Sequence, residues 1–310
     1  MEQEMRYIYE IWREGSFSRA AEKLYLSQSA LSMAVSRAER QLGAPIFDRS
    51  HRPPLLTPAG QVYLDTARQA MQLEEDMERR ISDIRRLHAG RLCIGGSHYL
   101  NAYILPDILC GFHRRYPDVK LELVESSSAE LAKMLARREL DLTFSCNEAF
   151  LSDFPRYPAF SDHVLLGVPR QGLPPQAEGL GLTAAQVAEG AHLRPDCPTA
   201  PLRCFQELGF LLLSPGNNLH DRAEQLFREA GFQPKVLMEL SQLVTACRLA
   251  EHGLGASFIS DRIVAPDSRL VYFKLDSRQT ERAFYMLLPK RSYTPHAVRA
   301  FIDHVRETLI

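Results

Sequence analysis

Ser27, Gln28, Ser29 and Ser32 sit within one short stretch, and their side chains are of the kind that reads base edges: a primary amide suits adenine, and a hydroxyl both donates and accepts. Around them stand Arg19, Lys23, Arg37, Arg40, Arg49 and Arg52, with His51 as a further titratable cation, against Glu22, Glu39 and Asp48. Guanidinium and ammonium groups at that density meet phosphate oxygens. Arg19, Lys23 and Arg37 suit that role, while Arg49, His51 and Arg52 can reach backbone or minor groove. The net charge of −1 for all 310 residues argues against a nucleic-acid binder, so the local excess and the side-chain types carry the inference.

A second set of polar residues follows apolar runs further along: Ser97 with Tyr99 and Asn101; Ser126, Ser127 and Ser128; Ser214 with Asn217. His98 and Asn147 could join them. Hydroxyl and amide groups beside the backbone N–H groups of helix starts are a means of holding a small anion such as a carboxylate. The same residue types also serve as ordinary helix caps, and Ser27 can do both jobs at once.

The elements that must position these groups can be read from periodicity and caps. Met5 to Glu14 has the apolar spacing of a short amphipathic helix that stops at Gly15. Ser16 or Ser18 can cap the next, whose Ala20 and Ala21 are small enough for a close helix crossing; a tight turn through Tyr25 and Leu26 leads to a third helix from Gln28 to about Leu42, ended by Gly43 and Pro45. This is the order of a helix-turn-helix. Two short extended pieces around the basic tip from Arg49 to Pro54 make a wing, and Thr57 with Pro58 opens a helix without a breaker until Gly90. That helix would span roughly 45 Å for about thirty residues. Along it Tyr63, Ala67, Ala70, Met77, Ile81, Ile84 and His88 keep a 4-3 spacing, which suits a coiled-coil dimer or packing against the chain's own domain.

From Arg91 strands and helices alternate in a βαβαβ order, which implies a parallel sheet with helices on its faces. Helical texture from Ile104 to Tyr116 is expected to be one element. Val164 to Val168 would carry the chain into a second lobe, and Leu270 to Phe273 and Tyr285 to Leu288 would return it to the first. Gln171 to Pro201, with its prolines and glycines, is expected to be a long surface excursion. The expected domains are a winged helix-turn-helix over 1–59, a linker and dimerisation helix over 60–90, and a two-lobed α/β ligand domain over 91–310, with lobe I near 91–163 and 269–310 and lobe II near 164–268.

Composition excludes several classes. Apolar residues at 45% and charged residues at 24% describe an ordinary globular chain; the start lacks a signal-like pattern and no apolar run is long enough for a membrane span, so a cytoplasmic protein is expected. Six scattered cysteines form no C-x-x-C pair, so neither a metal nor a disulfide framework is indicated, and Cys197 and Cys204 carry no mark of a reactive thiolate. There is no nucleophile elbow, metalloprotease helix or Walker loop, and Gly179 with Gly181 and Gly253 with Gly255 lack the context of a dinucleotide site. No catalytic residue and no cofactor is expected. A small-molecule-binding protein without direct DNA readout remains the alternative.

Phe17-Ser18-Arg19-Ala20-Ala21-Glu22-Lys23-Leu24-Tyr25-Leu26-Ser27-Gln28-Ser29-Ala30-Leu31-Ser32, continued by Leu42-Gly43, Ile46-Phe47, Arg49 and Leu56-Thr57-Pro58-Ala59-Gly60, resembles the LysR-type transcriptional regulators. Fainter echoes run through Leu105-Pro106, Tyr116-Pro117, Glu139-Leu140-Asp141-Leu142 and Gly253-Leu254-Gly255. Met33 and Ala38 depart from the family's pattern in the third helix. The resemblance implies an α+β multidomain chain: a winged helix-turn-helix, a long linker helix and a periplasmic-binding-protein-like effector domain. It further implies a double-stranded DNA operator, a small, anionic effector, a homodimer or homotetramer, and RNA polymerase as a further partner.

Overall fold

A computed structural model of the chain describes residues 2–84, 90–290 and 293–309. It divides into two compact units, Met1–Arg86 and Leu87–Ile310. The first holds α1 (Glu2–Glu14), α2 (Phe17–Lys23), α3 (Gln28–Leu42), the two-residue strands β1 (Phe47–Asp48) and β2 (Leu55–Leu56), and α4 (Pro58–Ile84). Ser16 and Ser27 cap α2 and α3 by accepting from the backbone N–H groups of Arg19 and Ala30, and Gly43 ends α3 in the left-handed conformation open to glycine at no steric cost. Ile8, Ile11, Ala20, Ala21, Leu31, Val35, Ala38, Ile46 and Phe47 form the core of this unit. The alanines lie at the helix crossing because nothing larger would let the backbones approach. β1 and β2 pair antiparallel as the wing, with Phe47 opposite Leu56.

The corner between wing and α4 is tightly built. The Thr57 hydroxyl donates to the Pro45 carbonyl at 2.6 Å and accepts from the Gly60 N–H at 2.9 Å. The first half of α4 then packs on α1: Leu64 and Ala67 are buried, and the Arg68 guanidinium lies 4.3 Å from the Trp12 ring centroid. The expected 4-3 stripe is therefore divided. Tyr63 packs against the core of its own unit and Ala67 is buried there, while Met77 and Ile81 are exposed together with Leu73. His88 and the side chain of Ile84 lie outside the described residues.

In the second unit, β3 (Gly90–Gly96), α5 (His98–Tyr103), α6 (Leu105–Arg115), β4 (Val119–Glu125), α7 (Ser128–Ala136), β5 (Leu142–Ser145) and α8 (Glu148–Leu151) build the first lobe. β3 pairs in parallel with β4 and β5, as the βαβαβ pattern requires. The helix expected from Ile104 to Tyr116 is α6, with Pro106 in its first turn, where a missing N–H costs no helical bond; the short α5 before it was not foreseen. The long strand β6 (Arg156–Pro169) then runs into the second lobe, which adds α9 (Ala184–Ala188), β7 (Gly209–Leu213), α10 (Asn218–Ala230), β8 (Lys235–Leu240), α11 (Leu243–Glu251), β9 (Ala256–Ser260) and β10 (Leu270–Phe273). β11 (Glu281–Leu287) returns to the first lobe, and α12 (His296–Leu309) packs there through Val298, Phe301, Ile302 and Val305.

The strands follow the order β4-β3-β5-β11-β6-β9-β7-β8, with β10 also on β6. β6 belongs to both halves: residues 156–163 pair with β11, residues 164–167 with β9 and residues 166–169 with β10, all antiparallel. Leu270–Phe273 thus stays in the second lobe rather than returning to the first, because its four residues pair with Leu166–Pro169, leaving β11 as the returning strand. The Gln171 to Pro201 stretch is also not a surface excursion. Leu182 exchanges backbone hydrogen bonds with Tyr272 at 2.8 and 2.9 Å, Ala200 donates to the Lys274 carbonyl, and Ala177, Ala184, Val187, His192 and Ala200 are buried. A capping box between Thr183 and Gln186 starts α9 within it.

Candidate functional site

On the first unit, α3 presents Gln28, Ser29, Met33 and Arg37 as exposed residues on its outer side, with Ser32 half-buried among them. Ser27 is occupied as the cap of α3, its hydroxyl 3.0 Å from that of Ser29. The cations divide into two groups. Arg19 donates to the Glu14 carbonyl and Lys23 pairs with the Glu14 carboxylate at 2.8 Å, holding that carboxyl below its usual range. Arg49 donates to Glu39 at 3.2 Å and to Ser32 at 3.3 Å over the Phe17 ring, while Glu39 accepts from the backbone N–H of Ile46 at 2.9 Å. Arg49 therefore ties the wing to α3. His51 lies 3.1 Å from Asp48. The side chains of Arg37 and Arg52 are exposed and have no hydrogen bond or ion pair among the described residues.

On the second unit, a cavity of about 400 Å³ opens at the carboxyl ends of the strands. Ser97, Tyr99, Ser126, Ser127, Ser128, Ser214 and Asn217 line it, as do His98, Glu125, Cys146, Gln242, Arg282 and Phe284. The starts of α5, α7, α10 and α11 converge here, so their unpaired backbone N–H groups face one volume. Ser97 and Gln242 stand at cap positions without making a side-chain cap bond, whereas Ser127 and Asn217 accept from the N–H groups of Glu130 and Leu219. Glu125, the acidic residue in the lining, lies 3.3 Å from His98.

The floor is a buried polar network. Arg282 donates through both Nε and Nη2 to Asp162, and Asp162 also accepts from the hydroxyls of Tyr99 and Ser260, each at 2.7 Å. Burial alone would lower the Arg282 pKa, but Asp162 outweighs it and holds the guanidinium charged; burial beside the same carboxylate pushes the Tyr99 phenol up. Arg282 Nη1 has no partner among the described residues, and the residue lines the cavity. Arg222, a neighbour in this region, is spent on the carbonyls of Gln279 and Glu281 and on Asn218. Burial pushes the Cys146 thiol up, which keeps it a neutral donor to Asn218.

Residues 85–310 match the model of the LysR substrate binding domain, and residues 3–61 match the bacterial regulatory helix-turn-helix of the lysR family. The chain belongs to the LysR family. It is a LysR-type DNA-binding transcriptional regulator with a substrate-binding domain, and members of this family are transcription factors rather than enzymes. Its relatives include an uncharacterized HTH-type transcriptional regulator of Bacillus subtilis, YcgK, 29% identical over 98% of this chain and 94% of that protein. A probable RuBisCO transcriptional regulator of Cyanidioschyzon merolae is 28% identical over 97% of this chain and 96% of its own. Among solved structures, full-length CbnR complexed with its target DNA has a similar fold, with a TM-score of 0.65 at 19% identity and 99% of both chains covered. A full-length OxyR variant from Pseudomonas aeruginosa gives 0.65 at 22% identity over 99% of this chain and 97% of that one.

In this LysR regulator two sequence-predicted residues lie apart from the cleft lining. Asn101 turns back to donate to the Gly96 carbonyl at 3.2 Å, and Asn147 caps α8 by accepting from the Ala149 N–H. Sequence reasoning missed Arg282, Gln242 and Cys146. Arg282 is the second residue of β11 and its partner Asp162 is 120 residues away, so no local spacing announces it. Gln242 could have been found from its place directly before the apolar spacing of α11. Among the described residues no helix is long and apolar enough to cross a membrane.

Proposed function

We propose that this regulator binds an imperfect inverted-repeat operator as a homodimer or a pair of dimers, and that a small carboxylate-bearing molecule in the cleft modulates that binding. Gln28, Ser29 and Ser32 read base edges, Met33 meets a thymine methyl, and Arg37 and Arg52 hold phosphates. Arg19 and Arg49 act by shaping the head. The observation that supports an anionic ligand is the convergence of helix starts over Arg282, whose third nitrogen is uncommitted at a cavity of about 400 Å³, with Ser97 and Gln242 free of cap bonds beside it. Ligand closing the lobes favours one arrangement of the protein over another, which is what couples the cleft to DNA.

The test is an anisotropy titration of the full chain against the DNA upstream of its own gene and against random duplex at moderate salt. The operator should be preferred; Gln28→Ala should erode that preference by about 1–3 kcal/mol, while Arg37→Ala should weaken both duplexes alike. Equal binding of both duplexes by the wild type would refute sequence-specific readout. For the cleft, Ser97→Ala combined with Ser214→Ala should alter the response to inducer, and an unchanged response would remove those residues from the site.

A further inference from the structure

We infer that His163, His192 and Asp261 form a binding site for a divalent transition metal, with zinc the cation their donor set fits. Each residue offers one ligand atom, and the three atoms lie within 4.8 Å of one another. Asp261 Oδ2 is 3.0 Å from His192 Nε2 and 3.4 Å from His163 Nδ1. Ligands about 2.1 Å from a tetrahedral centre are about 3.4 Å apart, so the Asp261–His163 edge already has the required length and the Asp261–His192 edge is a few tenths of an ångström shorter. Closing the third is the adjustment that remains.

The fold brings the three together from separate segments. His163 lies on β6, where side chains alternate, so it projects from the face opposite Asp162. Asp261 follows the last residue of β9, and its Oδ1 accepts from the His163 backbone N–H at 3.1 Å, which leaves Oδ2 turned to the two imidazoles. His192 enters from the segment between Gln171 and Pro201, which is anchored along β10. The cluster as it stands is not a completed hydrogen-bond network. One carboxylate oxygen serves two rings, and His192 Nδ1, in a residue 4% exposed, has no hydrogen-bond partner among the described residues; it is the nitrogen turned away from Asp261, so it stays without one whether or not an ion sits at Nε2. Buried structural networks ordinarily satisfy their members.

Two imidazole nitrogens with one carboxylate select zinc and its neighbours over magnesium or calcium, which prefer all-oxygen sites. Three protein ligands leave one position open, and an adjoining cavity of about 260 Å³ lined by His163, His192 and Thr199 provides access for a water or an exchanging ligand. Occupancy would fasten the 171–201 segment to β6 one residue from Asp162, the hub of the cleft floor. The assignment is independent of the identity of the cleft ligand and of DNA binding.

The full-length protein, treated with chelator and given zinc chloride alone, should retain one zinc per chain through gel filtration, counted by elemental mass spectrometry. His163→Gln and His192→Gln should each weaken zinc binding by more than the roughly 10–100-fold that loss of an outer-shell partner costs, with the far-UV circular dichroism of the wild type. Cobalt(II) should give the intense visible absorption of a four-coordinate site in the wild type and lose it in both variants. Sub-stoichiometric zinc in the wild type, or variants that bind zinc or cobalt as the wild type does, would overturn the assignment. If His192→Gln does not fold, His163→Gln decides the matter alone, since the Asp261 bond there is to the backbone and survives the change.

Discussion

Arg282 and Asp162 are more consequential to this molecule than any residue that sequence inspection singled out in the ligand domain. Both are buried, and the carboxylate accepts from a guanidinium and two hydroxyls at once. Removing one member leaves the other as an uncompensated charge in the interior, which typically costs about 3–5 kcal/mol. Arg282→Gln should lose stability on that scale in urea unfolding, and Arg282→Lys should recover only part of it because an ammonium cannot match the carboxylate with two parallel bonds. Ser127 and Asn217 were legible because capping is local chemistry, written within three or four residues of the group it serves, and Ser97 was legible from its place at a helix start. Arg282 was not, because its meaning comes from a partner 120 positions away.

Elements with start and stop signals were legible for the same reason. Ser27 and Gly43 bound α3 as their types demand, and Leu243–Glu251 follows its apolar spacing. β6 and β9 were harder. Pro158 cannot donate to a ladder, and β6 accommodates it at a register shift opposite Phe284 and Tyr285, which breaks the alternation a reader looks for; only the purely apolar second half of β6 reads as a strand. The same logic of close approach gives a sharp expectation at the corner of the DNA-binding head. A Cβ on Gly60 would sit 2.0 Å from the Ile46 carbonyl oxygen, a backbone atom that cannot step aside. Gly60→Ala should therefore cost about 1–3 kcal/mol or more, as a lowered thermal midpoint, and should weaken operator binding with it because the wing begins at the residue after that carbonyl.

At the scale of the whole molecule, α4 performs two tasks that one periodic stripe disguised as one. Its first half completes the fold of its own unit, while Leu73, Met77 and Ile81 remain 68%, 53% and 42% exposed at spacings of four residues. If this outer stripe joins two copies, Met77→Glu with Ile81→Glu should shift the protein toward monomer in sedimentation equilibrium and weaken operator binding, while leaving the thermal midpoint of the head largely intact. A wild type that sediments as a monomer would remove that role. The strand β6 carries a different consequence. Because one segment supplies backbone partners to β11 over its first half and, over its second half, to β9 and β10 on opposite edges, neither lobe keeps an intact sheet when the other melts. The ligand domain should then open as one cooperative unit, its slowest-exchanging amides gathered along that shared strand, and whatever binds in the cleft raises the protection of both halves together.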